Sequence, residues 1–390
     1  MRYRTFGKLG WRPSALGFGA MRLPVIDADS GKIDEERATR SLHYAIDHGV
    51  NYVDTAYTYH QSTSEPFIGR ALKGGYRERV KLATKMPCWL VKEPADFDRY
   101  LEEQRSRLDT ETIDFYLLHA LHAERWHAMR DLGVLDWAER ALADGRIGHI
   151  GFSFHDSYEV FQEIIDAYDG WTFCQIQYNY LDEENQAGTR GLKYAADKGL
   201  GVVVMEPLRG GMLAGNAGQR KGRGLPPTVH ALWDSAAQRR KPAEWALQWL
   251  WNQPEVSLVL SGMSTLEQVQ ENIISANRSG AGSLTEDELA LVGRVRDEYR
   301  RLIPIPCTDC KYCLPCPNGV NIPRIFEFYN QAIMFNVPEH GRYAYANWLE
   351  EAERADNCLA CGECETKCPQ HIAIIEWLEK ADRYLSAAGA

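Results

Sequence analysis

The chain has 390 residues, of which 45% are hydrophobic, and this is ordinary for a globular protein with one large domain and one small one. Its formal net charge of −10 and pI of about 5.6 argue against nucleic acid as a partner. No apolar run is long enough for a membrane helix, and residues 1–12 lack the apolar core of a secretory signal, so we expect a cytoplasmic protein without a membrane partner.

Residues 1–302 alternate short apolar runs with amphipathic segments. The runs have four to six residues and are typical of parallel strands buried on both faces. They are Ala15–Gly19, Tyr52–Thr55, Val80–Thr84, Phe115–Leu118, Ile147–Phe152, Phe173–Gln177, Gly201–Met205 and Val256–Leu260. Eight strand–helix units in about 300 residues predict an α/β fold, a (β/α)8 TIM barrel rather than an open sheet. No G-x-G-x-x-G follows the first run, which disfavours a Rossmann fold.

Four titratable residues lie at or just after the carboxyl ends of adjacent predicted strands. Asp54 ends the second strand and is followed by Tyr59, Lys85 ends the third, and His119 ends the fourth. Each residue alone also fits a structural role as a helix cap, a solvated strand end or a hydrogen-bonded core histidine. Such positions meet at the mouth of a TIM barrel, so the four together indicate a catalytic site.

These four side chains suit the reduction of a carbonyl group, which needs a hydride on carbon and a proton on oxygen. Tyr59 can donate the proton, although the ordinary pKa of tyrosine is about 10. We expect Lys85 to lower that pKa by favouring the phenolate, and Asp54 to pair with Lys85. His119 would hydrogen-bond the substrate oxygen and orient it.

A basic segment follows the seventh predicted strand. Arg209–Lys241 contains seven lysines and arginines among glycines and prolines. On a TIM barrel this loop lies on the face that often binds phosphate, but a solvated surface loop would have the same composition, and both interpretations stay open.

The composition changes after Arg301. Ile303–Pro306 has the pattern of an extended linker, because proline disfavours helix in the residue before it. We therefore predict a barrel domain over residues 1–302 and a second domain over residues 303–390. Three amphipathic segments, Ile322–Phe335, Arg342–Ala355 and Ile374–Leu385, predict that the second domain is small and mainly helical.

Two cysteine runs are the main feature of the second domain. Their members are Cys307, Cys310, Cys313 and Cys316 in the first run and Cys358, Cys361, Cys364 and Cys368 in the second, and a proline follows each run. The second run has the iron–sulfur spacing C-x2-C-x2-C-x3-C-P, and the first is one residue shorter in its last gap. The runs predict two [4Fe–4S] clusters with all eight cysteines as ligands, and thus a ferredoxin-like domain. In two-cluster ferredoxins the fourth cysteine of each run binds the other cluster.

Two other interpretations of the cysteines remain. Disulfides would suit a small protein in an oxidising compartment, and this chain is long and shows no secretory segment. Zinc prefers two separated C-x2-C pairs that close one tetrahedron, whereas each run here has four cysteines. The remaining pair, Cys88 and Cys174, fits inert buried thiols.

The barrel resembles the aldo-keto reductase family over residues 2–302. The matching segments are Tyr3–Lys8, Leu16–Met21 and Asn51–Ala56, followed by Tyr59, Glu65 and Gly69. The resemblance implies an oxidoreductase of this family whose catalytic tetrad is Asp54, Tyr59, Lys85 and His119. The second domain is similar to that of a branch of the family that carries ferredoxin-type clusters.

The resemblance also implies a nicotinamide cofactor, NADH or NADPH, with its contacts in this sequence. They are Gly19, Ala20, Met21, Asp54, Ser153, Gln175, Leu208, Gly210, Ser261, Gly262 and Asn272. Phe154 replaces an asparagine of the family, and Met205–Pro207 stands where an aromatic residue usually stacks on the nicotinamide. No lysine or arginine lies between Ser264 and Asn272 to bind a 2′-phosphate, so a preference for NADPH is not expected. Arg220–Arg223 is a candidate clamp for the pyrophosphate.

Three functional hypotheses follow. The first is an enzyme that reduces a small-molecule carbonyl, or oxidises the corresponding alcohol, with a nicotinamide cofactor, and whose clusters are structural or serve a separate partner. The second is an oxidoreductase that exchanges electrons with a protein such as a ferredoxin or flavodoxin, with a flavin in the barrel mouth between hydride and single-electron chemistry. The third is an electron carrier without enzymatic activity, which the four titratable residues argue against.

Overall fold

The computed structural model describes residues 1–27, 29–215, 224–307, 313–368 and 370–387. They form two compact units. The first unit comprises Met1–Pro207 and Glu244–Thr285, and the second comprises Leu208–Ala243 and Glu286–Ala390. These units group residues that contact one another in space, so each unit combines separate segments of the chain. The predicted domains, by contrast, divide the chain at a single point after residue 302. The domain boundary at that point stays a prediction.

The first unit contains a closed barrel of eight parallel strands in chain order, because β8 pairs with β1. The strands are β1 (Leu16–Gly19), β2 (Tyr52–Asp54), β3 (Lys81–Met86), β4 (Ile113–Leu121), β5 (Ile147–Phe154), β6 (Phe173–Gln177), β7 (Gly201–Met205) and β8 (Leu258–Ser261). All eight predicted strands are present. The third, fourth and fifth extend two or three residues beyond their predicted carboxyl ends, so Lys85, His119 and Ser153 lie within strands rather than after them.

The helices of the described residues alternate with the strands in the first unit and form most of the second. They are α1 (Glu35–Asp47), α2 (Ser64–Ala71), α3 (Ala95–Arg107), α4 (Ala123–Asp131), α5 (Val134–Ala143), α6 (Tyr158–Asp166), α7 (Gly188–Asp197), α8 (Pro227–Asp234), α9 (Pro242–Trp251), α10 (Leu266–Asn277), α11 (Glu286–Arg301), α12 (Ile322–Met334), α13 (Pro338–Asn347), α14 (Glu363–Lys367) and α15 (Ile374–Leu385). In α1 the side chain of Asp34 accepts a hydrogen bond from the Arg37 amide and caps the helix. Within the barrel region no described helix is long and apolar enough to cross a membrane, and the same holds for the helices described in the second unit.

Aromatic side chains fill the amino-terminal end of the barrel. Phe6 lies against Phe115 and Phe173, with ring centroids 5.3 and 5.8 Å apart. Gly201, the first residue of β7, makes room for Phe6, because a Cβ atom there would lie 2.5 Å from the Phe6 ring. The barrel interior is therefore packed with aromatic side chains at this end.

The second unit has its own apolar core. Sixteen buried residues form it: Ile305, Val320, Ile322, Ile325, Phe326, Phe328, Ala332, Ala344, Tyr345, Leu349, Ala355, Ile372, Ile374, Leu378, Ala381 and Leu385. The predicted linker joins this core, because the Asn330 side chain bonds both the N–H and the carbonyl of Ile305. The prediction of one helix over Arg342–Ala355 is wrong. The α13 helix starts at Pro338, which suits a first helical turn, and after it the chain forms short 3-10 turns over Glu351–Glu353 and Ala355–Asn357.

Candidate functional site

Three of the four predicted catalytic side chains meet around the Lys85 ammonium. Its Nζ atom donates to Asp54 Oδ1 at 2.6 Å, to the Thr55 carbonyl at 2.8 Å and to the Tyr59 hydroxyl at 3.4 Å. Lys85 is fully buried and Asp54 is 2% exposed. An ammonium has three N–H donors and no acceptor, so these three acceptors satisfy it completely. We therefore assign a buried ion pair between Lys85 and Asp54 that holds Tyr59 by its hydroxyl group.

Strand register and an unusual turn place these groups. Asp54 on β2 lies opposite Ala83 on β3, two residues before Lys85. Tyr59 follows on a turn in which His60, Gln61 and Ser62 all have φ between 52° and 68°, a region that residues with side chains seldom adopt. His60 holds this turn: its Nε2 accepts from the Leu23 amide at 3.2 Å, and its Nδ1 donates to the Ser30 carbonyl at 2.7 Å. Sequence reasoning missed His60.

A β-bulge places the fourth residue, His119. The register of β4 against β5 shifts between Leu118 and Leu121, and Ala120 has a φ of 55°. Such a bulge bends the strand end and redirects its side chains. The His119 ring lies 6.1 Å from the Tyr59 ring, centroid to centroid, and its Nδ1 atom is buried without a partner among the described residues. The structure thus brings all four predicted residues together.

Burial dominates the protonation of the site. It raises the pKa of Asp54, and the charge of Lys85 opposes that rise. Burial lowers the pKa of Lys85, but the charges and hydrogen bonds of Asp54 and Tyr59 outweigh it, so that pKa lies above its ordinary value and the ammonium persists. The pKa of His119 is far below 6.5, first because of burial and then because of Lys85, so its imidazole is neutral.

The expected effect of Lys85 on Tyr59 is only half right. The charge of Lys85 does lower the pKa of Tyr59, but burial raises it more, so the pKa lies above its ordinary value of 10.0. Desolvation disfavours the phenolate because the charged form loses water. Tyr59 is therefore protonated at neutral pH, which is the form that can donate a proton.

A buried polar network lies behind the site. Glu65 is fully buried and accepts from Thr84 Oγ1 at 2.6 Å, from Gln104 Nε2 at 2.5 Å and from Arg107 Nη1 at 3.2 Å. Gln104 also donates to the Lys85 carbonyl at 3.0 Å. Gln104 thus connects the buried carboxylate to the backbone of the strand that carries Lys85.

The position of Gln104 in the sequence of α3 indicates a buried polar contact. Gln104 occupies the apolar stripe of α3, seven residues after the buried Phe97. A polar residue at such a position needs a buried hydrogen-bond partner, and the partner here is Glu65. In the sequence, Glu65 was noted only as part of the resemblance to the aldo-keto reductase family.

The cysteine runs meet the core of the second unit. Six cysteines pack against it while remaining partly exposed: Cys307, Cys313, Cys316, Cys358, Cys364 and Cys368. Cys361 is exposed, and Cys310 lies outside the described residues. None of the nine described cysteines forms a disulfide. No three His, Cys, Asp or Glu side chains in the described ranges are grouped closely enough to hold one metal ion.

The second run begins on a tight turn and continues into the short helix α14, which contains Cys364. Ala360 and Gly362 have φ of 52° and 78°, and the Ala360 amide donates to Cys358 Sγ at 3.4 Å. The pKa of Cys364 is raised, first by burial and then by Glu365, Cys358 and Cys361. Cys358 and Cys361 therefore lie close enough to Cys364 to contribute to the rise of its pKa.

Two family models match the chain. One, the aldo/keto reductase family, matches residues 15–293, and the other, a 4Fe-4S dicluster domain, matches residues 306–373. The chain belongs to the aldo/keto reductase family. It is an oxidoreductase of that family with a C-terminal 4Fe-4S domain, and the predicted fold and resemblance are confirmed.

Individual relatives agree with this assignment. The chain is 29% identical over 307 residues to the uncharacterised oxidoreductase YrpG of Bacillus subtilis, covering 70% of this chain and 90% of YrpG. It is 24% identical to L-galactose dehydrogenase of Arabidopsis thaliana, and the match covers 77% of this chain and 95% of that protein. Among solved structures, it resembles an aldo-keto reductase of Bacillus halodurans in its holo form, with a TM-score of 0.63 and 26% identity, covering 76% and 96%. An aldo-keto reductase of Klebsiella pneumoniae in complex with NADPH gives a TM-score of 0.58 and 25% identity with the same coverage.

Several nicotinamide contacts expected for an aldo/keto reductase lie on neighbouring strands. Ser153 on β5 is the register partner of Gln175 on β6, and its Oγ accepts from the Ala120 amide at 2.7 Å. Gln175 Oε1 is buried and has no partner among the described residues, while its Nε2 contacts Met205 Sδ at 3.5 Å. A buried amide oxygen without a donor fits the carboxamide N–H of a nicotinamide. The replaced position, Phe154, packs on Phe161 of α6, 5.0 Å between centroids.

Most of the remaining expected contacts belong to the first unit. Asn272 Nδ2 donates to Ser261 Oγ at 3.1 Å, and Gly19 lies beside Asp54 in the register of β1 and β2. Ala20 is buried, whereas Met21 is 55% exposed. A Cβ on Gly262 would lie 2.7 Å from the Arg22 side chain.

Leu208 and Gly210 lie in the second unit. Of the basic segment, residues 220–223 lie outside the described residues. Arg239 pairs with Asp234 at 3.0 Å, and Arg240 pairs with Glu288.

Proposed function

We propose that the barrel reduces the carbonyl group of a small molecule, or oxidises the corresponding alcohol, with a nicotinamide cofactor, and that the second domain holds two [4Fe–4S] clusters. The observation that carries the proposal is the buried group of Asp54, Lys85 and Tyr59 beside a neutral His119. A bound nicotinamide would supply or accept the hydride. Ser153, Gln175, Ser261 and Asn272 are the residues proposed to hold it.

Side chains of the barrel site would carry out the proton transfer. Tyr59 donates its hydroxyl proton to the carbonyl oxygen, which becomes the alcohol oxygen. Lys85, 3.4 Å away, stabilises the phenolate that remains, and Asp54 keeps Lys85 in place. Because His119 is neutral, it can donate an N–H to the substrate oxygen without releasing its own proton.

The cofactor preference rests on the segment after β8. Residues 264–272 contain no lysine or arginine, and Glu267 lies in the first turn of α10. A carboxylate beside a 2′-phosphate would be unfavourable, so we propose that NADH is used at least as well as NADPH.

The cluster ligands are proposed as the eight cysteines of the two runs. The six described cysteines on one core bring both runs to the same region of the second unit. Each corner iron of a cluster binds a separate thiolate, so the sulfurs can be spread more widely than around a single ion. If the fourth cysteines cross over, as in two-cluster ferredoxins, Cys316 would bind the cluster of the second run and Cys368 that of the first.

A second candidate function is coupled electron transfer. Its basis is the exposed Cys361 and the neighbouring Leu359, 71% exposed, which would place a cluster near the surface. A ferredoxin or flavodoxin could then exchange electrons there, with a flavin in the barrel as the mediator. Anaerobic addition of NADH to the cluster-replete protein tests this function: bleaching of the visible cluster absorbance supports it, and unchanged absorbance despite NADH binding contradicts it.

The test of the principal proposal is Tyr59→Phe in the cluster-replete protein, assayed with aldehydes and NADH or NADPH. We expect kcat to fall by roughly 10²- to 10⁴-fold, the usual contribution of a general acid, with unchanged cluster absorbance. Tyr57→Phe is the matched control, because its hydroxyl bonds Glu103 and not Lys85. Equal activity of Tyr59→Phe and wild type would overturn the proposal.

A further inference from the structure

A partly buried arginine lies beside His119 at the carboxyl end of β4. Arg125, in the first turn of α4, lies over the Trp89 ring with its Cζ atom 5.5 Å from the centroid. The Trp89 ring in turn lies 5.1 Å from the His119 ring. In a TIM barrel this end of the strands faces the substrate, so the three side chains form one wall of the mouth.

The Arg125 guanidinium has no carboxylate partner within ion-pair distance among the residues that the structure describes. One of its nitrogens, Nη1, donates to the Ala120 carbonyl, and this bond fixes the side chain at the bulge that places His119. Asp156, on the loop after β5, accepts instead from the amides of Ala123 and Ser157. A guanidinium has five N–H donors, so Arg125 retains donors and its full charge for a ligand.

The charge of Arg125 reaches the reacting end of the site. It lowers the pKa of His119 further, after burial, Lys85 and His155. Arg125 Cζ lies 5.5 Å from the Trp89 ring centroid, which lies 5.1 Å from the His119 ring centroid. These two distances set the upper limit for the separation between the guanidinium and the imidazole. A substrate with a short chain of carbon atoms can span that separation. Trp89, 39% exposed, offers an apolar face along that path.

We propose that Arg125 binds a carboxylate of the substrate, so that the preferred substrates are aldehydes or ketones with a carboxylate a few carbon atoms from the carbonyl group. The proposal rests on the proposed carbonyl reduction and specifies its substrate class. A carboxylate matches the planar guanidinium with two parallel hydrogen bonds. A phosphate would leave one negative charge without compensation, because Arg125 is the single cation in this wall formed by Trp89, His119 and Arg125.

The test compares 4-oxobutanoate with butanal, which differ only in a terminal carboxylate in place of a methyl group. We expect the wild-type protein to prefer 4-oxobutanoate in kcat/KM. In Arg125→Met the ratio of kcat/KM for 4-oxobutanoate to kcat/KM for butanal falls roughly 10- to 100-fold, the range for hydrogen bonds to a charged group. Because the ratio is taken within each variant, an effect on His119 through the Ala120 bulge that slows both aldehydes alike cancels. Arg125→Lys retains part of the preference because it keeps the charge. Arg130→Met, on the exposed face of the same helix, is the control.

Calorimetry with Tyr59→Phe separates this proposal from the catalytic one. Tighter binding of 4-oxobutanoate than of butanal, lost on adding Arg125→Met, supports the carboxylate site even if no aldehyde is reduced, in which case only the proposed reduction fails. Reduction of both aldehydes with equal kcat/KM, or a preference that Arg125→Met does not change, overturns the carboxylate site and leaves the proposed reduction intact.

Discussion

The barrel site and the cysteine runs differ in what holds their functional atoms. In the barrel, Lys85 is buried and each of its N–H groups has a protein acceptor. In the second unit, Cys361 is exposed, the other described run cysteines are only partly buried, and the turn of the second run uses positive φ at Ala360 and Gly362. The barrel site is therefore held by protein groups alone, whereas the described thiols lie on irregular segments, on a turn or, for Cys364, in the short helix α14.

The two sites therefore differ in the source of their rigidity. Strands of a closed barrel hold side chains firmly, because each strand pairs with a neighbouring strand on both sides. If the runs hold clusters as proposed, cysteines on irregular segments acquire fixed positions when the inorganic group binds them, because metal binding and local folding are coupled. Four experiments test whether the two sites differ in this way.

The largest effect is expected from Cys364→Ala, which removes a proposed ligand of the second run. We expect iron content to fall from about eight to about four atoms per chain, because one cluster loses a corner ligand. Barrel activity with aldehydes should be unchanged.

Cys88→Ala is the control for this cysteine variant. Cys88 is buried in the barrel and burial raises its pKa to about 12, so it should be neither a ligand nor reactive. Equal iron content in Cys364→Ala and wild type would remove Cys364 from the ligand set.

The next effect concerns the buried ion pair. Asp54→Ala leaves the Lys85 charge buried without its partner, and we expect the free energy of unfolding to fall by about 3–5 kcal/mol. Asp47→Ala breaks an exposed pair, Arg79 with Asp47 at 2.7 Å, and should change stability little. Urea denaturation of both variants checks this, and similar losses in the two would contradict a buried ion pair at Asp54.

A smaller effect is expected for the network behind the site. Gln104→Leu deprives Glu65 Oε1, the Lys85 carbonyl and the Tyr116 hydroxyl of a shared partner. We expect a loss of about 1–3 kcal/mol in the free energy of unfolding, with a fall in kcat from misplaced Lys85. Gln270→Leu, at a partly exposed position of α10, is the control. Unchanged kcat in Gln104→Leu would limit the network to stability.

The smallest effect is on the pH dependence of the rate. Carbonyl reduction needs protonated Tyr59, and the pKa of Tyr59 is raised above 10.0, so the rate should stay level at neutral pH and fall only as pH rises through that pKa. Lys85→Met removes the charge that lowers this pKa, so the falling limb of the residual activity of this variant should move to still higher pH. The profile of kcat for aldehyde reduction checks both statements, and a fall well below pH 10 in wild type would contradict them.

Much of the fold followed from local patterns. Short apolar runs at regular spacing predicted all eight strands, because the period of hydrophobic residues is a property of neighbouring positions. Asp54, Tyr59, Lys85 and His119 could be selected because strand ends of a barrel converge whatever the sequence between them. The helix over Arg342–Ala355 was mispredicted, since Pro338 allows an earlier start and the later residues form turns.

The barrel, the four residues at its mouth and the iron–sulfur spacing could be predicted from the sequence, because they depend on covalent order and local periodicity. Only the tertiary structure decided that burial outweighs Lys85 in setting the pKa of Tyr59, that Gln104 bonds Glu65, and that Arg125 lies beside Trp89 and His119. Desolvation and the pairing of charged and polar side chains depend on residues that are distant in the chain and meet only on folding. A local sequence pattern does not identify those residues.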